Sequence, residues 1–165
     1  MQERKIVVRK AGSGDHEVVT ALVLRLLTEL YDPVEWGYSR ETLAPAVRKL
    51  LREGIGYWAF LAHVGNGTPV GVITLNECAA IYAFGHFGEI SELYVVPEHR
   101  SGGVGAALVD AAIEFGRGRG WSLLEVGAPA VPRWQRTLRF YERCGFSEVG
   151  PRLTLLLRHP ATARS

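Results

Sequence analysis

Hydrophobic and polar positions alternate between two periods along the chain. Lys5–Arg9 (KIVVR) is short and β-branched, which predicts a strand ended by Gly12 to Gly14. Ser13 or Asp15 then caps a helix running through about Leu30, because Val18, Ala21, Leu22, Arg25, Leu26 and Glu29 recur at helical spacing. Tyr31 to Tyr38 (YDPVEWGY) reads as a loop. Ser39 is placed to cap a second helix, Arg40–Glu53, with Gly54 as its stop and Pro45 as an irritant inside it.

Beyond that point the period shortens. Gly56–Val64 and Pro69–Leu75 flank Gly65-Asn66-Gly67, a hairpin signal. Glu89–Val96 is a further strand, Gly103–Arg117 an Ala-rich helix opening at glycines, Trp121–Val126 a strand, Arg133–Cys144 a helix and Arg152–Leu157 a last strand. Hairpins mixed with strand-helix-strand units predict a mixed sheet of the α/β or α+β class.

Composition narrows the classes. The 165 residues suit one domain, expected to span 1–165, with 47% apolar and 22% charged residues as in ordinary soluble proteins. No apolar run is long enough to span a bilayer, and Met1 to Lys5 lacks an apolar signal core, so no membrane partner and a cytoplasmic location are expected. A net charge of +2 argues for no nucleic-acid partner. Cys78 and Cys144 stand in no ligand spacing, so two reduced thiols and no metal are expected.

The chemistry concentrates in Leu93 to Leu108 (LYVVPEHRSGGVGAAL). A strand stops at Pro97, a glycine-rich turn follows, and a helix begins at once. Amides at a helix start point outward, the dipole adds positive charge, and glycines let an anion approach. That predicts a phosphate or pyrophosphate site. A Walker A loop would need GK[ST] where Gly105-Ala106-Ala107 stands, and a dinucleotide fingerprint would need glycine at Leu108.

Arg100-x-x-Gly103-x-Gly105 after Leu-Tyr-Val-x-Pro resembles the Q/R-x-x-G-x-G/A motif of the GCN5-related N-acetyltransferase (GNAT) family. Phe140-Tyr141-Glu142-Arg143-Cys144-Gly145-Phe146 resembles that family's second signature, F/L-Y-x-x-x-G-F. The resemblance is close over Glu89 to Val149 and looser over the whole element order. It implies a mostly antiparallel central sheet flanked by about four helices, and acetyl-coenzyme A as acyl donor. The cofactor arm is then expected along Leu93, Tyr94 and Val95, with the pyrophosphate on Arg100, Ser101, Gly102, Gly103, Val104, Gly105 and Ala106. Many members pair as homodimers through late strands, and Arg152–Leu157 is apolar enough to contribute.

The resemblance also assigns roles. Tyr141 matches the family tyrosine near the cofactor sulfur and is the candidate general acid. Glu89 matches the glutamate some members use as base, and Glu92 is its rival. Strand alternation puts Glu89 with Ser91 on one face and Glu92 on the other, unless a bulge intervenes. The Leu93 N–H is the expected oxyanion donor. Trp134 stands where many members have an asparagine that binds the cofactor arm. Arg133, Arg136, Arg139 and Arg143 follow helical steps, read as a solvated face or as help for the cofactor's phosphates. Tyr31, Asp32, Glu35, Trp36 and Tyr38 offer an acid-plus-aromatic wall for a cationic amine. The expected reaction is direct acetyl transfer to a primary amine of a small molecule. Transfer to a protein or peptide amine, and a non-catalytic acyl-coenzyme A sensor, are the alternatives.

Overall fold

A computed structural model describes residues 5–128 and 133–157. The backbone forms β1 (Ile6–Lys10), α1 (His16–Leu30), α2 (Pro33–Trp36), α3 (Arg40–Glu53), β2 (Tyr57–Val64), β3 (Pro69–Ala80), β4 (Gly85–Val95), α4 (Val104–Arg119), β5 (Leu124–Val126) and α5 (Gln135–Arg143). The strands lie side by side in chain order as one five-stranded sheet. The pairs β1–β2, β2–β3 and β3–β4 are all antiparallel. The chain divides into two compact units, one up to Glu125 and one from Val126 onward.

Each face of the sheet follows from strand alternation. Val72 and Thr74 are fully buried on one side, beneath α1 and α3. Ile73 and Leu75 are fully buried on the other, beneath α4. The buried residues of α4, Val104, Leu108, Val109, Ala112 and Gly116, form one stripe. Gly71 lets that stripe approach, since a Cβ there would lie 3.0 Å from Leu108 Cδ1 and 3.1 Å from the Tyr94 carbonyl.

Trp121 fixes the lower end of this layer. It packs 5.9 Å from Trp58 and 5.7 Å from Phe115 (centroid distances), and its Nε1 donates to Glu77 Oε2 at 2.7 Å. The indole fills the space above two glycines. A Cβ on Gly88 would come within 2.3 Å of the ring, and one on Gly116 within 2.8 Å.

Several elements differ from the sequence expectation. Asp15 does precede α1, but its side chain accepts from no amide of that helix. It turns back instead to the Gly12 N–H at 2.8 Å and to both terminal nitrogens of Arg9. A short helix, α2, stands inside the expected loop. Asp32 caps it, accepting from the Val34 and Glu35 amides, and Pro33 supplies a preset φ at the first turn. α3 runs through Pro45 without interruption. β3 and β4 extend to Ala80 and back to Gly85, because each gives the other a backbone partner.

Two expected strands are corrected. Trp121 to Leu123 lies outside β5, Trp121 being held by ring packing rather than by a ladder. The described residues of Arg152–Leu157 adopt no strand, with Leu153 91% and Leu155 83% exposed. Apolar alternation supplies propensity only, and a strand exists only where a neighbouring backbone accepts its hydrogen bonds. Cys78 and Cys144 are not joined in a disulfide. Among the described residues no helix is long and apolar enough to cross a membrane.

Gly88→Ala is expected to destabilise the protein by about 3 kcal/mol, because the indole must leave its slot, and chemical denaturation measures it. Asp15→Asn tests the β1–α1 junction. Hydrogen bonding to Arg9 holds the Asp15 carboxyl at about 2, below the usual carboxylate range. Its stabilisation is therefore complete above the unfolded value of about 3.9 and is lost as pH falls toward 2. The variant should lose about 1 kcal/mol at neutral pH, with the difference closing in acid. Thermal melts across pH read this directly.

Candidate functional site

The site begins with one extra residue in β4. Glu89 pairs with Asn76 and Ile90 with Leu75, yet Glu92, not Ser91, pairs with Thr74. Ser91 is thus a bulge. Because opposed residues share a face, and Asn76 and Thr74 are two apart, the bulge brings Glu89 and Glu92 to the same side. That is the side of α1 and α3. The strict alternation that would separate the two carboxylates does not hold.

Glu92 sits among polar groups from the two neighbouring strands. The fully buried Thr74 donates its Oγ1–H to Glu92 Oε2, and the same Oγ1 accepts the Glu92 N–H at 3.0 Å. The Tyr57 hydroxyl reaches the pair from β2. Burial raises the Glu92 carboxyl above the usual carboxylate range, outweighing the hydrogen bonds that favour its charge. Burial also raises Tyr57. Ser91 Oγ accepts from Asn76 Nδ2 at 2.5 Å.

The aromatic wall predicted for Tyr31 to Tyr38 is a packed cluster. Ring centroids of Tyr31, Trp36 and Tyr38 lie 5.6 to 6.3 Å apart, and Trp36 and Tyr38 are nearly parallel. Gly37 turns the chain between them with φ 68°. The Tyr38 phenol is raised by burial, with smaller contributions from Tyr31 and Glu92, so Glu92 lies within electrostatic reach of this segment. His86 is exposed at the start of β4.

At the upper end of β4, Leu93, Tyr94 and Val95 pair with Ile73, Val72 and Gly71 on one edge. On the other side, the Gly88 N–H donates to the Leu123 carbonyl, and β5 adds only Leu124–Val126. Three residues span about 10 Å, too short to accompany β4 as far as Leu93. The turn that follows carries Ser101 and Gly103 with φ of 64° and 85°. The first intrahelical bond of α4 runs from Ala107 N–H to Gly103, so the amides of Val104, Gly105 and Ala106 have no acceptor within the helix. An open cleft of about 510 Å³ is lined here by Arg100, Gly102 and Val104, with Lys5, Ile6 and Val64. Bare amides, helix dipole and a side-chain-free approach fit a diphosphate.

Arg100 is exposed, yet its guanidinium is engaged by protein atoms. Its Nε donates to the Val95 carbonyl at 2.8 Å, its Nη2 to Glu29 at 2.7 Å, and its guanidinium lies 5.3 Å from the Tyr94 ring centre. It ties the turn to β4 and α1.

The C-terminal unit holds the second motif. Tyr141 is 6% exposed on α5, with Phe140 and Phe146 edge-on at 5.3 and 5.6 Å. Burial raises its phenol, so it keeps its proton across physiological pH. Arg133, Arg136, Arg139 and Arg143 are exposed. Arg133 rests over the Trp134 ring at 5.1 Å, and Trp134 makes no capping bond at the start of α5. Pro129 and Pro132 lie outside the described residues. Thr74 and Tyr57 were not singled out by the sequence. The only signal was a lone hydroxyl within the apolar run PVGVITL. Among the described residues no His, Cys, Asp and Glu group could hold a metal ion.

Comparison with known proteins gives a consistent picture. The sequence profile of the Acetyltransferase (GNAT) family matches residues 23–146. Aminoalkylphosphonate N-acetyltransferase of Salmonella typhimurium (strain LT2) is 31% identical over 152 residues, 91% of this chain and 90% of that one. The uncharacterized N-acetyltransferase MJ1207 of Methanocaldococcus jannaschii is 34% identical over 85 residues, half of this chain and 36% of that relative's length. The crystal structure of a putative acetyltransferase from Arthrobacter sp. FB24 superposes with a TM-score of 0.73 at 27% identity, covering 92% of this chain and 95% of that one.

Arg100→Met is expected to lower stability by about 1 kcal/mol without any ligand present, since the Val95 carbonyl and Glu29 lose a partly exposed guanidinium partner. Denaturant titration of the free protein checks this.

Proposed function

Because the chain belongs to the acetyltransferase (GNAT) family, we propose that it transfers the acetyl group of acetyl-coenzyme A to a primary amine of a small molecule, by direct attack within a ternary complex. Acetyl-coenzyme A supplies an activated thioester. The residues that would hold it are the amides of Ser101 to Ala106 for its diphosphate and the free edge of Leu93 to Val95 for its arm. The single observation that carries the reading is the bulge at Ser91, which turns two carboxylates toward one face.

Glu92 is assigned as the base that takes the proton of the attacking ammonium. Its raised carboxyl supports this, because an alkyl ammonium with a pKa near 10 must lose a proton, and a base poised toward neutrality accepts it best. Glu89, on the same face, contributes negative charge that attracts the cation and raises Glu92 further. The Leu93 N–H is assigned to the developing oxyanion. Tyr141 is assigned as the proton donor to the departing thiolate, supported by a buried phenol that remains protonated. The small acceptor is supported by the Salmonella relative, named for an aminoalkylphosphonate. The carboxylates and aromatic rings near Tyr38 favour a cationic amine.

Thiol release from acetyl-coenzyme A over a panel of small amines tests this. Glu92→Gln should lower kcat/KM for the amine by on the order of 10²-fold, and Glu89→Gln by less, mainly through KM. Tyr141→Phe should lower kcat by on the order of 10²-fold while calorimetry shows coenzyme A binding unchanged. Binding without turnover on any amine would replace the enzyme by a sensor.

A further inference from the structure

We propose that Thr74 and Tyr57 are positioning residues for Glu92, and that the Thr74 hydroxyl fixes both the direction and the charge of its carboxylate. This inference rests on the assignment of Glu92 as base.

A hydroxyl has one proton to give. At Thr74 the oxygen already accepts the Glu92 N–H at 3.0 Å, and its proton goes to Oε2 of the same residue. Thr74 is therefore bonded to Glu92 through both backbone and side chain. The ring can close only because the bulge sets Glu92, rather than Ser91, opposite Thr74. Thr74 is fully buried and β-branched, so its rotamer is stiff and its hydroxyl cannot turn to water. One carboxylate oxygen, Oε2, is thus held along the strand.

The other groups facing Glu92 complete the balance. Tyr57 comes from β2, Glu89 from β4 itself, and Tyr38 from the segment between α2 and α3. Glu89 and burial oppose ionisation of Glu92, while the Thr74 and Tyr57 hydroxyls favour it. None of these partners is a cation. The two hydroxyls thus favour the charged carboxylate as an arginine would, with less pull, so the group stays raised above the usual carboxylate range. Removing a donor shifts the group toward its protonated form.

The test is the titration of the Glu92 carboxyl, followed by carbon-13 NMR in the free protein and assigned by its disappearance in Glu92→Gln. Thr74→Val keeps the shape and removes the hydroxyl. It should raise the titration midpoint by about one pH unit and carry the acid limb of kcat/KM upward with it. Thr74→Ser, which restores the hydroxyl, should return both toward their original positions. Tyr57→Phe leaves no backbone amide unpaired and carries the same expectation should Thr74→Val fail to fold. An unmoved midpoint in a folded variant overturns the inference while leaving Glu92 as base. A midpoint that moves while the kinetic limb stays overturns Glu92 as the base, and the inference with it.

Discussion

An odd number of residues between two carboxylates puts them on one face of a strand, and an even number puts them on opposite faces. Glu89 and Glu92 are separated by Ile90 and Ser91, so a regular β4 would aim one at α1 and the other at α4. The bulge at Ser91 removes that separation. The consequence is local in backbone and wide in effect. Glu92 comes opposite Thr74, and its carboxyl is desolvated there. β5 is only three residues long, too short to accompany β4 as far as Leu93.

The elements on either side of the bulge are anchored separately. Below it, Trp121 occupies the slot made by Gly88 and Gly116 and anchors α4 against the sheet. Above it, Arg100 binds the Val95 carbonyl and Glu29 together. The arginine of the turn motif thus acts on protein atoms, and the amides at the start of α4 are what remains to meet an anion. Two kinds of recognition are kept apart by this arrangement. In the proposed reaction backbone donors serve the diphosphate, whose charge is diffuse, and side chains serve the amine, whose proton must be moved. The hydroxyls around Glu92 suit the base proposed there, since a cation in their place would hold the carboxylate more firmly charged.

Much of the fold was readable in the chain. α3 begins and ends where Ser39 and Gly54 place it, because capping is settled within a few residues. The hairpin around Gly65 and the glycine opening of α4 are local in the same sense. α2 was legible in retrospect from Asp32-Pro33, a cap followed by a proline at the first helical position. The strand expected at Arg152–Leu157 failed for the opposite reason, as its existence depends on a partner that sequence does not specify.

The sequence alone determined the glycine turn after Val95, the aromatic and acidic composition of the segment from Tyr31 to Tyr38, and the family to which both motifs point. These depend on residue type and on spacing along a few turns of chain. Only the tertiary structure decided that Glu89 and Glu92 share a face, that the Thr74 and Tyr57 hydroxyls meet Glu92, and that Arg100 binds the Val95 carbonyl and Glu29. Each of those depends on cross-strand register and on what burial does to a charge, and neither is set until distant strands have paired.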